Sequence, residues 1–398
     1  MSAPAHTAEP SSRAWAIVAA LSITETVSWG ILYYAFAAFL VPMQQDLGYS
    51  EAQLTGAFSL ALAVCAVAGV AVGRHLDRHS PRTVMAVGSV VGSLLVVAWS
   101  QVDGLLAFYL VWAAIGVVMA AVLYEPAFTV LAKHFPVANE RRRAMTAMTL
   151  VAALASFIFL PLSQLLIDAH GWRDAALILA VVLAVITIPL HAFVLRPAPA
   201  HAPEHATEPS IAARDVLRST PFWLLTTAFV LASLATIAMT VFTIPFLLER
   251  GHSPAFAAFA VGLIGVSQIP GRLLFAPAAA LLPAPLATAS VFALIALGVT
   301  IVVTLDSTAA VLVGLVILGM GNGMATLARA TSIADLYGAG AYGTIASVAG
   351  GITTAARAAG PFAAALYVSV VGYTPLLWTL AALAVAAALL AHSAVGAA

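Results

Sequence analysis

The sequence predicts an all-α membrane protein of twelve transmembrane helices, arranged as two pseudo-symmetric six-helix halves. Three observations predict it. The 398-residue chain is 63% hydrophobic and 8% charged, with a mean hydropathy of +1.05, outside the range of water-soluble domains. Apolar runs of about 20 residues, the helical length that crosses a ~30 Å hydrocarbon core, recur along almost all of it. The second six runs also resemble the first at an offset of 203 positions, as from Phe39 to Phe242.

The first run, 14–42, is too long for a cleaved signal and leads into further tightly spaced runs, so it is expected to stay in the mature protein. The second, 52–73, is separated by Arg74, Arg78 and Arg82 from the third, 83–101, and Asp103 precedes the fourth, 105–131. Lys133 and Arg141 to Arg143 precede the fifth, 144–167, and Asp168, Arg173 and Asp174 mark the turn into the sixth, 174–195. The second half reads 221–248, 255–279, 285–304, 309–334, 343–370 and 374–394, with Glu249 and Arg250 after its first run and Asp306 after its third. Residues 1–13 read as a disordered N-terminus, 14–196 as one half, 197–220 as a polar linker and 221–398 as the other half; Ile211 to Arg218 has the makings of a short surface helix.

Basic residues are shared unevenly between the loops. Arg13, Arg74, Arg78, Arg82, Lys133, Arg141, Arg142, Arg143, Arg196, Arg214 and Arg218 fall on one side, which the positive-inside rule makes cytoplasmic, together with both termini. Arg173 and Arg250 fall on the other side, among Asp46, Glu51, Asp103, Asp168, Asp174, Glu249 and Asp306. The formal net charge of zero gives no reason to expect a nucleic-acid partner. Cys65 is the only cysteine, so an intrachain disulfide is impossible. The histidines show no metal-ligand spacing and no phosphate-binding loop occurs, so neither a metal nor another cofactor is expected.

The internal repeat aligns Phe39, Pro42, Gly48, Ser50, Ala52, Ala57 and Leu60 with Phe242, Pro245, Gly251, Ser253, Ala255, Ala260 and Leu263. Gly116 meets Gly319, and with a small slip Pro161 meets Pro361 and Gly171 meets Gly372. Two such halves joined by a cytoplasmic linker suggest a transporter that alternates access by rocking one against the other. The loop after the second run adds Gly69, Gly73, Arg74, Asp77, Arg78 and Arg82, which resemble the cytoplasmic motif of the major facilitator superfamily. That resemblance implies the major facilitator fold, with Asp77 and its arginines as a cytoplasmic latch and the glycines allowing close packing. The alternative is a loop that only marks the positive-inside side; the second-half copy, Ala276 to Pro285, has lost the charges.

Within that superfamily, Ser28-Trp29-Gly30, Tyr33 to Phe36 and Pro42, with Phe135 and Arg141 to Ala144, resemble the monocarboxylate and oxalate carrier branch. Two departures are visible: the acid that precedes Trp-Gly is displaced by one residue, to Glu25, and the segment before Arg141 is longer.

Charged side chains at bilayer depth cost roughly 2.5–3.5 kcal/mol on insertion scales, so they are expected on polar paths. Arg272, Arg329 and Arg357 are such residues. Gln268 lies one turn before Arg272, and guanidinium groups bind carboxylates through paired charge-assisted hydrogen bonds. Arg272, Gln268, Arg357, Asn322, Trp29 and Tyr33 are therefore the substrate-binding candidates, with structural alternatives: an ion pair of Arg272 with Glu25, a packing role for Arg357, an aromatic packing face for Trp29 and Tyr33. The resemblance implies an acid four residues before Arg272, where this chain has Gln268, and an amide takes up no proton. Glu25 and Glu125 are the remaining intramembrane carboxylates and the proton-coupling candidates. Arg329 is expected to act as a gate or strut, pairing with Glu125. Ser233, Thr236, Thr240 and Thr243 form a hydroxyl stripe that either lines a cavity or bonds its own helix.

The expected protein is not an enzyme. It is a secondary transporter of a small organic mono- or dicarboxylate, coupled to protons or a counter-anion, acting as a monomer in the lipid bilayer of an inner or plasma membrane. The alternative is a proton-driven antiporter exporting drugs or other amphipathic compounds. An intramembrane enzyme or a sensor is a remote third: paired membrane aspartates, a Gly-x-Ser-x-Gly elbow and a soluble output domain are missing.

Overall fold

Each of the twelve apolar runs is helical in a computed structural model of the chain, which describes residues 12–195, 212–338 and 341–396, and no strand occurs among them. The helices are α1 (Ser12–Leu47), α2 (Glu51–Arg78), α3 (Pro81–Ser100) and α4 (Leu105–His134). The apolar segment Ala138–Val194 is 57 residues long and contains two spans, α5 (138–170) and α6 (172–194), because Gly171 at φ +80° breaks the helix between them. Then follow α7 (Thr220–Glu249), α8 (Pro254–Leu281), α9 (Ala284–Thr304), α10 (Thr308–Tyr337), α11 (Tyr342–Val371) and α12 (Tyr373–Gly396).

Several helices outrun the apolar stretches that announce them. α1 begins at Ser12, so Ser12 and Arg13 of the expected disordered N-terminus are helical, whereas residues 1–11 lie outside the described residues. α5 starts at Ala138 and takes Arg141, Arg142 and Arg143 into its first turns. Residue 196 of the expected first half and residues 197–211 of the expected linker also lie outside the described residues; after them comes one helical turn, Ala213–Val216, within the expected short helix.

The repeat seen in sequence has matching backbone devices. Gly48 and Gly251 both adopt positive φ, 70° and 82°, as do Gly171 and Gly372, at 80° and 84°. Ser50 and Ser253, at the same offset, each accept a hydrogen bond from the backbone N–H three residues on, Gln53 and Phe256, and so cap α2 and α8.

By contacts the chain groups into two units: Met1–Phe58 with Arg78–Thr207, and Ser59–Asp77 with Glu208–Ala398. Residues 59–77 thus group with the second unit, although chain order puts them among the first six spans. In the first unit α3 packs on α4 and on the α5–α6 segment, around the buried rings of Phe39, Trp99, Phe108 and Trp112. The end of this unit that carries Asp46 and Asp103 is tied by Arg173, which donates to both carboxylates and to the carbonyls of Ser100 and Val102. In the second unit α8 packs on α10, α9 on α10 and α12, and α7 on α11 and α12. There Arg250 bonds Asp306, the repeat partner of Asp103.

Candidate functional site

Glu25 lies near the middle of α1, fully buried. Trp29, one turn later, donates its indole N–H to Glu25 Oε2 at 3.1 Å, and Glu25 Oε1 has no hydrogen-bond partner among the described residues. Directly after Trp29 the helix widens into a π-turn, Gly30–Tyr34. Phe159 of α5 seats on Gly30 so closely that a Cβ there would stand 2.1 Å from its ring. The wider turn carries Tyr33 and Tyr34 round to the side of Trp29, and π-turns frequently mark functional sites. Trp29 meets Tyr33 at 5.2 Å between ring centroids and Tyr124 of α4 at 4.9 Å.

α4 is broken at Leu123, whose φ and ψ are −90° and −160°. The cause is Pro126, which lacks an N–H and whose ring excludes the carbonyl one turn back. A second helical segment, Tyr124–His134, starts there with Glu125 in its first turn, where the helix dipole favours an acid. Discontinuous helices of this kind are a feature of transporter sites. Of the residues gathered here, the sequence reading names Glu125, Trp29 and Tyr33 as candidates and does not name Tyr34 and Tyr124, although the Tyr33-Tyr34 doublet and the Tyr-Glu-Pro triplet are visible in it.

In the second unit Arg272 is 7% exposed, at the middle of α8, and its Nη2 reaches Gln268 Oε1 at 3.5 Å, so the two share a face as expected. α8 is pressed onto α10 at this level: a Cβ on Gly323 would stand 2.3 Å from the Gln268 carbonyl oxygen, and one on Gly271 would stand 2.2 Å from that of Met320. Asn322, beside Gly323, and Arg329 are both half-buried on α10. Arg357 is exposed on α11, which packs on α7, α10 and α12. Of the hydroxyl stripe on α7, Thr236, Thr240 and Thr243 each bond a backbone carbonyl of their own helix. Such back-bonding is how an intramembrane hydroxyl is satisfied without a partner helix.

The Gly73–Asp77 segment has a defined geometry within the second unit. The Asp77 carboxylate accepts the backbone N–H groups of Gly343, at 2.7 Å, and Thr344, at 2.8 Å, and the Thr344 hydroxyl. It therefore caps the N-terminus of α11, where the first amides have no intrahelical partner. Gly73 lies one turn earlier against the same place: a Cβ there would stand 2.2 Å from the Gly343 carbonyl oxygen. Arg74, Arg78 and Arg82 are exposed. His191, in the last turn of α6, is fully buried, its Nδ1 2.7 Å from Ser89 Oγ of α3.

Twelve helices, a duplicated half and buried charges within the spans define a multi-pass, all-α membrane protein. The family described as Major Facilitator Superfamily matches residues 21–361, and the chain belongs to that family. It is 26% identical over 270 residues to monocarboxylate transporter 4 of Rattus norvegicus, covering 61% of this chain and 55% of that protein. It is 26% identical over 241 residues to the oxalate:formate antiporter of Oxalobacter formigenes, covering 59% and 54%. The chain thus spans little more than half the length of these relatives. Among solved structures, the outward-conformation crystal structure of the superfamily transporter FucP aligns over 95% of this chain and 98% of its own, at TM-score 0.74 and 13% identity. The human organic anion transporter MFSD10 aligns over 95% and 99%, at TM-score 0.71 and 15% identity. Both likenesses show the fold.

Proposed function

We propose that the protein is a secondary active transporter of a small organic anion, a mono- or dicarboxylate, working by alternating access. The observation that carries this reading is Arg272: a guanidinium 7% exposed within an apolar span, next to the amide of Gln268. Such a group is retained at bilayer depth where it meets an anion, and its planar fork matches a carboxylate. Relatives named as monocarboxylate transporters and as an oxalate:formate antiporter support the same class.

Glu25 is the proton carrier in this reading, because it is fully buried and half of its carboxyl group has no hydrogen-bond partner among the described residues. Asp77 and Gly73 form a gate element at the end of α11, and Arg357 and Asn322 are secondary cargo contacts. The chain acts as a monomer in a plasma or inner membrane, with both termini cytoplasmic.

Uptake of labelled lactate and oxalate into proteoliposomes tests the assignment. Arg272→Ala and Arg272→Lys are both expected to abolish it, since an ammonium keeps the charge but not the bidentate fork. Undiminished uptake in Arg272→Ala would overturn the site, and resistance to lipophilic cations on overexpression would favour the drug-efflux alternative.

A further inference from the structure

Five aromatic side chains in the first unit form a second, uncharged feature: Trp29, Tyr33 and Tyr34 of α1, Phe58 of α2 and Tyr124 of α4. Each is half-buried, whereas the rings behind them, Phe36 and Trp112, are buried. Trp29 lies 5.2 Å from Tyr33, 6.4 Å from Tyr34 and 4.9 Å from Tyr124. Tyr33 lies 5.1 Å from Tyr34 and 5.3 Å from Phe58. These are the spacings of aromatic groups in contact, so the exposed parts join into one continuous wall.

The π-turn builds this wall. In a regular α-helix Tyr34 would sit about 100° round the axis from Tyr33; the wider turn brings both beside Trp29. The wall is amphipathic, with three tyrosines and an indole whose N–H is held by Glu25. Polar handles near mid-span are costly against lipid tails and suit a polar cavity. Packing does not require five adjoining rings to remain partly uncovered, and a two- or three-carbon acid has too little surface to cover them.

We infer that the cargo carries a flat aryl ring, which lies on the Trp29–Tyr33–Tyr34–Phe58–Tyr124 wall. This rests on the organic-anion reading and adds the chemistry of the cargo's carbon body. Planar rings gain edge-to-face and offset contacts on such a wall that a puckered ring of the same size does not.

Phenylacetate and cyclohexylacetate carry the same charge at the same reach and differ in ring planarity. Titration calorimetry on the full chain in detergent is expected to show phenylacetate binding at least about fivefold more tightly. The ratio is expected to fall towards one in Tyr33→Leu and to be kept in Tyr33→Phe; should Tyr33→Leu fail to fold, Tyr124→Leu is measured against Tyr124→Phe. Equal or tighter binding of cyclohexylacetate overturns the inference and leaves the organic-anion reading standing. A ratio unmoved by both leucine variants also overturns it. If neither compound binds, and lactate and oxalate do not bind either, the organic-anion reading falls with it.

Discussion

Asp77 caps α11 through Thr344, whose backbone N–H donates to the Asp77 carboxylate at 2.8 Å and whose hydroxyl donates to the same oxygen. The two residues are 267 positions apart, yet the bond is the local one that any helix start requires. Together with the close seating of Gly73 on Gly343 and of Gly351 on Ala66, it ties residues 59–77 to the second unit.

Asp77→Ala removes the acceptor for both amides, and is expected to cost about 1–2 kcal/mol, the usual worth of a helix cap aided by the helix dipole. Asp77→Asn, which keeps an acceptor without the charge, is expected to fall between. Thermal unfolding in detergent reads both; equal midpoints for wild type and Asp77→Ala would show that the cap contributes nothing.

Gly73→Val tests the packing beneath the cap. A Cβ at Gly73 meets the Gly343 backbone oxygen at 2.2 Å, and backbone cannot swing aside as a side-chain tip can. The helices must separate, at a cost of about 1–3 kcal/mol or more. Loss of folded protein in size-exclusion chromatography, or a lower unfolding midpoint, is the expected result.

Gly323→Ala should act on the Arg272 region rather than on the Asp77 cap. Its Cβ would stand 2.3 Å from the Gln268 carbonyl oxygen, so α8 must move off α10 at the level of the guanidinium. Stability is expected to fall by about 1–3 kcal/mol, and the half-saturating concentration for carboxylate uptake to rise. An unchanged value for uptake would detach the helix contact from the binding site.

Arg173→Lys probes the tie that Arg173 makes at one end of the first unit. The guanidinium serves two carboxylates and two carbonyls at once, from fixed directions. A lysine ammonium, one point charge with three donors, cannot reproduce that set. The variant is expected to lose about 1–3 kcal/mol, and Arg173→Ala no less than that, by chemical or thermal unfolding.

Glu25→Gln is expected to abolish the acceleration of uptake by an imposed proton gradient while leaving exchange of cargo for cargo. The amide still accepts the Trp29 indole N–H but carries no titrating proton. Gradient-driven uptake at the wild-type rate in proteoliposomes would move the coupling role elsewhere.

The sequence alone determined the class of fold. Apolar runs, the charges between them and the repeat made twelve helices legible because crossing a bilayer is a demand on composition and length. It also determined that Gln268 and Arg272 share a face and that Glu25 and Trp29 lie one turn apart, since helical periodicity relates positions three and four apart. Tertiary structure decided the rest. The π-turn after Trp29, the break before Tyr124, the seating of Gly323 on Gln268, the Ser89–His191 pair and the Asp77 cap on α11 depend on which helix lies against which. Hydropathy is blind to that choice, because lipid tails and neighbouring helices are equally apolar. What selects the neighbour is close backbone approach and the satisfaction of buried polar groups, and both are properties of pairs distant in the chain.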